Sequence, residues 1–253
     1  KYAYSRYGLP HAVQTTSVAD ADSVTTALVS SWAQLAETLY NLGDAPQESL
    51  VGMVPNLNLA KLNHDPMIVQ SVWRNFVGVG DALQSVQKFR YDLVDVTRQA
   101  MSDLFSVNYQ QYNSAFYENN TREMKNYGST LLEIIADLDA ILLTDIHWML
   151  ADWIDAARNQ TNDTSNNNDT KNWYEFNARN QITLWGPTGN INNYAVKQWG
   201  DVIGTYYAPQ WRLFINYTTS CVENEQAFNK EMFESANFHQ IELPWSSAIG
   251  GYS

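Results

Sequence analysis

The chain has 253 residues and a formal charge of −12, from 27 acidic and 15 basic side chains. With 45% hydrophobic and 13% aromatic residues it can bury a sizeable core, which excludes disorder as its main state. A pI near 4.6 offers no basic footprint for phosphates and excludes nucleic acid as a partner; no apolar run approaches the ~20 residues that cross a bilayer.

Apolar residues recur at helical spacing along most of the chain. Asp22 to Leu42 carries Val24, Leu28, Trp32, Leu35 and Leu39, with Asp22 or Ser23 as the expected cap. Pro46–Asn63 reads as an irregular stretch. Asp65-Pro66 places an N-cap before a proline at the first helical position, where a missing N–H costs nothing, and the helix should run to about Val86, weakened at Gly78 and Gly80. From Lys88 to Tyr117 the positions Phe89, Leu93, Val96, Ala100, Leu104 and Val107 form a long apolar face. Thr121–Leu143 should bury Leu131, Ile134, Ile135, Leu138 and Leu142, and Asp145–Arg158 holds Trp148, Met149 and Trp153. Further helices are expected over Asn172–Leu184, Asn192–Tyr206, Pro209–Cys221 and Glu223–Phe238, the first of them broken by Trp185–Asn190, WGPTGN. No alternating run bounded by hairpin turns calls for a strand. The expected fold is all-α, a multi-helix bundle of mostly antiparallel helices in a single domain over 1–253, with an irregular lead-in over 1–20 and an Asn-rich loop over 159–171.

One cysteine, Cys221, cannot form an internal disulfide and reads as a buried structural thiol. The sequon N-x-S/T occurs at Asn119, Asn159, Asn162, Asn168 and Asn216, three of them inside NQTNDTSNNNDT, Asn159–Thr170. That stretch has no apolar residue and reads either as a solvated, glycan-bearing loop or as a plain polar linker. Charged residues make up only 17% of the chain, so neutral polar side chains and glycans would supply its solubility, and the secretory or lysosomal route is expected. The chain opens at Lys1 with neither an initiator Met nor a signal peptide, and reads as a processed chain or a piece of a longer one.

The usual catalytic and cofactor signatures fail one by one. His11, His64, His147 and His239 lack ligand spacing, there is no P-loop, and Gly78-Val-Gly80 lacks the rest of a dinucleotide fingerprint, so neither a metal nor a cofactor is expected. Asp137, Asp139, Asp145, Asp152 and Asp155 crowd around His147; a metal or acid–base reading is open, but a solvated acidic face is favoured. Aromatic residues are the distinctive group, from Trp173 to Trp211. Those on the WGPTGN loop are the hardest to bury, because loops run over surfaces. A Trp and a Tyr there, flanked by Asn190 and Asn193, suit stacking on a sugar ring and hydrogen bonding to its hydroxyls.

The stretch NQITLWGPTGNINNYAVKQWGDVIGTYYAPQWRLF, Asn180–Phe214, resembles the C-terminal region of glycoside hydrolase family 89, the lysosomal-type α-N-acetylglucosaminidases. YSRYG at Tyr4–Gly8, FRYDLVDVTRQA at Phe89–Ala100 and WIDAAR at Trp153–Arg158 extend the resemblance in the same order over most of the chain. It implies an all-α domain packed beside a (β/α)₈ catalytic barrel that lies upstream, on a separate chain or missing segment, and an exo-enzyme that removes terminal α-linked N-acetylglucosamine (GlcNAc) with retention, from glycans such as heparan sulfate. Both catalytic glutamates belong to that barrel, so no catalytic residue is expected in this chain. By match to the motif, Trp185 and Tyr194 would stack on or flank the GlcNAc ring, Ile191 would give an apolar contact, and Asn190 is a further substrate-binding nominee. Trp211 and Arg212 would hold the domain together. The tail from Ser235 departs from the family and stops short of an expected final helix. The implied partners are the barrel chain, the terminal α-GlcNAc and N-linked glycans, with a homo-oligomer left open. The rival reading is a stand-alone carbohydrate-binding or structural module without catalysis.

Overall fold

The computed structural model describes residues 1–14, 18–41, 49–58, 62–160 and 168–252. Contacts divide the chain into two compact units, Lys1–Gln47 with Leu62–Leu104, and Glu48–Lys61 with Phe105–Ser253. The expected all-α fold is what the structure has: among the described residues there is no strand, only an isolated bridge between Met149 and Gly200.

The first unit contains α1 (Tyr2–Tyr7), α2 (Val18–Glu37), α3 (Pro66–Gly78), α4 (Gly80–Leu83) and the first part of α5 (Gln87–Tyr117). The lead-in is therefore not irregular throughout. α2 starts four residues before the expected Asp22 cap, and a 3₁₀ turn at Leu39–Asn41 follows it. Asp65 caps α3 as its sequence predicts, accepting from the Met67 N–H at 2.9 Å with Pro66 behind it. The core gathers Tyr7, Leu28, Leu35, Val72, Phe76 and Phe89, with the rings of Phe76 and Phe89 stacked at 5.8 Å. Arg6 and the Tyr7 hydroxyl both donate to the buried Asp92 carboxylate, and the Trp32 indole donates to Tyr7 at 3.0 Å.

The second unit contains the end of α5, α6 (Thr121–Leu142), α7 (Leu150–Arg158), α8 (Asn168–Ile182), α9 (Ala208–Glu223), α10 (Lys230–Asn237) and α11 (Leu243–Ser247). All five residues expected in the core from α6 are buried there. α6 packs on α9 at Gly128, where an added Cβ would lie 2.7 Å from Ile215 Cγ2. Trp211 is fully buried and donates its indole N–H to the Val51 carbonyl at 2.9 Å, with Phe105 and Tyr109 edge-on against it. Arg212, expected to share that structural role, is exposed. Leu104 and Val107 are exposed too, because the apolar face of α5 passes to Phe105, Tyr109 and Tyr112.

Two further expectations are corrected. The stretch from Asn192 is not helical until a π turn at Ile203–Tyr207, which runs straight into α9, and the helix expected to end at Phe238 instead passes into a second π turn, Phe238–Glu242, that leads into α11. Both turns end two residues before a proline: Ala208 N–H bonds to Ile203 O ahead of Pro209, and Leu243 N–H bonds to Phe238 O ahead of Pro244. A proline cannot donate to the carbonyl four residues back and its ring crowds that carbonyl, so a locally widened turn relieves the conflict. α8 begins at Asn168, inside the expected Asn-rich loop, and α10 begins only at Lys230.

Candidate functional site

The site is the turn-rich segment between α8 and the π turn at Ile203. Its backbone bends sharply: Trp185 and Asn193 take left-handed φ of 52° and 57°, and Gly186 and Gly189 take 141° and 69°. Gly189 has little choice, since a Cβ there would meet Asn192 Oδ1 at 2.5 Å and Phe238 at 3.1 Å. The end of α8 pins the bend. Asn180 accepts the Trp185 N–H on its carbonyl at 2.8 Å and the Gly186 N–H on its side-chain oxygen at 2.8 Å, while Thr183 O accepts from Asn193 N at 2.8 Å.

This bend turns the nominated side chains outward. Trp185, Ile191 and Tyr194 are 47%, 42% and 64% exposed, and Asn190 is exposed as well. The Trp185 and Tyr194 rings lie 5.9 Å apart, tilted by 52°. Asn190 Oδ1 accepts from the Thr188 hydroxyl at 2.7 Å, and its Nδ2, which lies close to Gly186, is the amide's donor end. The arrangement offers two aromatic faces, an aliphatic contact and an amide donor, a set suited to a sugar and not to proton transfer.

Beneath the loop lies a buried polar cluster that sequence reasoning did not find. Asn193, expected beside the ring to meet its hydroxyls, is instead buried, donating to Gln210 Oε1 at 3.1 Å and accepting from the Tyr206 hydroxyl at 2.8 Å. Asn192 donates to Glu242 Oε2 at 2.6 Å. Burial first, then the nearby Glu234, push the Glu242 carboxyl up to about 7. These partners come from α9, α10 and both π turns, so no local spacing announces them.

The acidic residues around His147 do not form a reaction centre. Asp139 is a structural clamp, accepting from the Asp201 and Gly204 N–H groups at 2.8 and 2.9 Å; burial raises its pKa against those two bonds. Asp145 caps the 3₁₀ turn at Ile146–Trp148 and holds the His147 ring at 2.7 Å. Asp137, Asp152 and Asp155 are exposed, and among the described residues no three His, Cys, Asp or Glu side chains could hold a metal ion. Cys221 is 2% exposed. Of the sequon asparagines, Asn119, Asn159, Asn168 and Asn216 are exposed, while Asn162 lies outside the described residues.

The comparisons with known proteins agree with one another. A family model described as alpha-N-acetylglucosaminidase (NAGLU) C-terminal domain matches residues 1–253. Human alpha-N-acetylglucosaminidase is 31% identical over 247 residues, covering 95% of this chain and 31% of that protein. A family 89 glycoside hydrolase from Clostridium perfringens in complex with PUGNAc superimposes with a TM-score of 0.81 at 21% identity, covering all of this chain and 28% of its own. The same bacterial family, in complex with its substrate GlcNAc-α-1,4-galactose, matches at TM-score 0.81 and 21% identity over the same shares. The chain thus spans about a third of the length of the relatives it matches.

Proposed function

The chain belongs to the alpha-N-acetylglucosaminidase C-terminal domain family, and from that membership we propose that it forms one wall of the sugar pocket of a larger, retaining exo-α-N-acetylglucosaminidase of glycoside hydrolase family 89. The observation that carries this reading is the exposed Trp185–Tyr194 pair, held on a strained and well-anchored loop. Strain at an exposed, conformationally fixed loop is a common mark of a binding site, because it persists only where the surroundings over-determine it. Trp185 and Tyr194 flank the GlcNAc ring, Ile191 meets the ring or its acetyl methyl, and an Asn190 N–H bonds a hydroxyl.

The chemistry is supplied from elsewhere. A retaining glycosidase needs two carboxyls about 5–5.5 Å apart, one as acid/base and one as nucleophile. No carboxyl stands among the exposed loop residues here, and Asp139 and Glu175 are held in structural contacts by N–H groups and by two arginines respectively. The catalytic pair belongs to a (β/α)₈ barrel outside this sequence, and the reaction releases terminal α-linked GlcNAc from glycans such as heparan sulfate. The exposed sequons fit a glycoprotein of the secretory or lysosomal route, and assembly into a homo-oligomer is compatible with this arrangement. The absence of a catalytic pair among the described residues also favours a second reading, a stand-alone carbohydrate-binding module; native mass decides it, since a barrel-bearing companion of roughly 40–60 kDa is expected only on the first.

The pocket itself is tested by kinetics. Trp185→Ala and Tyr194→Ala in the full enzyme are each expected to lower kcat/KM for an aryl α-GlcNAc substrate by roughly ten- to a hundredfold, or about 1.4–2.8 kcal/mol of lost contact. Unchanged kcat/KM in both removes the loop from the pocket.

A further inference from the structure

Glu242 is fully buried in the second π turn and has no cation beside it among the described residues. Its Oε2 accepts from Asn192 at 2.6 Å, which reaches the pocket loop directly. Its Oε1 accepts from Asn237 at 2.9 Å; Asn237 also donates to Gln210 Oε1 at 3.3 Å, the oxygen that receives the Asn193 amide at 3.1 Å. Two hydrogen-bonded routes therefore leave one carboxyl and end on adjacent residues of the loop that displays Trp185, Ile191 and Tyr194. A buried, uncompensated carboxyl is among the costlier groups a core can hold, and a packing role needs none.

We infer that Glu242 is a positioning residue for the sugar pocket: through Asn192, and through Asn237, Gln210 and Asn193, it fixes the loop in the shape that presents Trp185 and Tyr194 to the ligand. The inference rests on the pocket reading above. The other ionisable groups facing the carboxyl are the Tyr206 phenol, which its charge helps to raise, and Glu234 on α10. With burial and Glu234 pushing the carboxyl from its ordinary 4.5 up to about 7, its contribution to folding is fully present below about 4.5 and is lost as pH rises through about 7. When neutral, the carboxyl can donate to either amide once that amide turns over and presents its Oδ1 in place of its Nδ2; both Oδ1 atoms are buried and otherwise without a partner among the described residues. When ionised, it is a buried charge held by two N–H donors and, among the described residues, no cation, and opening of the loop to water relieves it.

The test is calorimetric titration of the full enzyme, this domain with its catalytic barrel, with PUGNAc from about pH 5 to about pH 8.5. Wild type is expected to lose affinity several-fold more than Glu242→Gln as pH rises through about 7, because the Gln amide keeps a donor and an acceptor without titrating. Barrel carboxylates titrate alike in both, so the difference between the two curves belongs to Glu242. Glu242→Ala is expected to bind PUGNAc roughly tenfold more weakly than Glu242→Gln across the range. Superimposable wild-type and Gln curves overturn the inference, and they decide it alone if the Ala variant fails to fold. Tyr194→Ala separates the two layers. If it weakens PUGNAc while both Glu242 variants bind as wild type, the positioning role is wrong and the pocket stands; if Tyr194→Ala itself binds as wild type, the pocket reading falls and takes this inference with it.

Discussion

Glu175 and Arg179, one turn apart on α8, form an ion pair of 2.9 Å in which neither side chain meets more than a trace of solvent. The same carboxylate takes Arg158 from α7 at 2.7 Å and the Gly250 N–H from the tail at 2.8 Å, while Arg179 donates to the Gly250 carbonyl and lies 4.7 Å over the Trp245 ring. Three separate segments of the second unit are tied at this one carboxylate.

Removing one partner of such a pair leaves the other buried and uncompensated, which costs about 3–5 kcal/mol. Glu175→Ala is therefore expected to lower Tm by roughly 10 °C or more, whereas Glu175→Gln, which still accepts from Arg179 and Gly250, costs less. Thermal unfolding of the two variants checks this. Equal Tm values in wild type and the Ala variant would show that the pair is neutral overall.

Gly204 and Asp139 make a second coupled pair. A Cβ at Gly204 would run into the Asp139 carboxylate, which is already accepting from the Gly204 and Asp201 N–H groups. Gly204→Ala is expected to cost about 1–3 kcal/mol by overpacking, and Asp139→Ala a similar amount by orphaning two donors. In the double variant the clash disappears, so its cost should fall short of the sum by about 1 kcal/mol. Urea unfolding of the four proteins measures that shortfall, and strict additivity contradicts the contact.

Glycopeptide mapping after expression in a secretory host bears on the proposed route. Asn119 stands at the exposed turn between α5 and α6 with a left-handed φ of 55°, and Asn159 closes α7. Both are expected to carry glycan in most molecules. Recovery of these two and of Asn168 and Asn216 unmodified would remove the glycoprotein part of the proposal.

The elements that the sequence made legible are those fixed by local chemistry. Asp65-Pro66 announces α3, and the spacing of Leu131, Ile134, Ile135 and Leu138 predicts which face of α6 is buried. The exposure of Trp185 and Tyr194 was legible because Gly and Pro break the helix there, whereas Ile191 was reached only through the resemblance. Asp139 looked like one member of a solvated acidic face; its clamp depends on Asp201 and Gly204, more than 60 residues further on. Glu242 gave no signal at all, since its partners at 192 and 237 meet only after α9 and α10 have packed. The π turns were missed for a similar reason: helical periodicity is counted at 3.6 residues per turn, and a widened turn breaks the count without changing composition.

That break has a consequence for which changes of length the molecule can absorb. Tyr206 and Tyr207 are neighbours, yet both are fully enclosed, and Trp211 follows them into the interior. Each residue in a helix advances the azimuth by about 100°, so the extra residue held at Ile203–Tyr207 sets the phase of everything on α9 after it. A one-residue deletion there would keep nearly every side chain and still rotate Trp211, Phe214 and Gln210 away from their neighbours. Gln210 is the hinge of the arm that reaches Asn193, so the loop that displays Trp185 and Tyr194 would lose one of its anchors through arithmetic alone. In this segment the number of residues constrains the site as firmly as their identity.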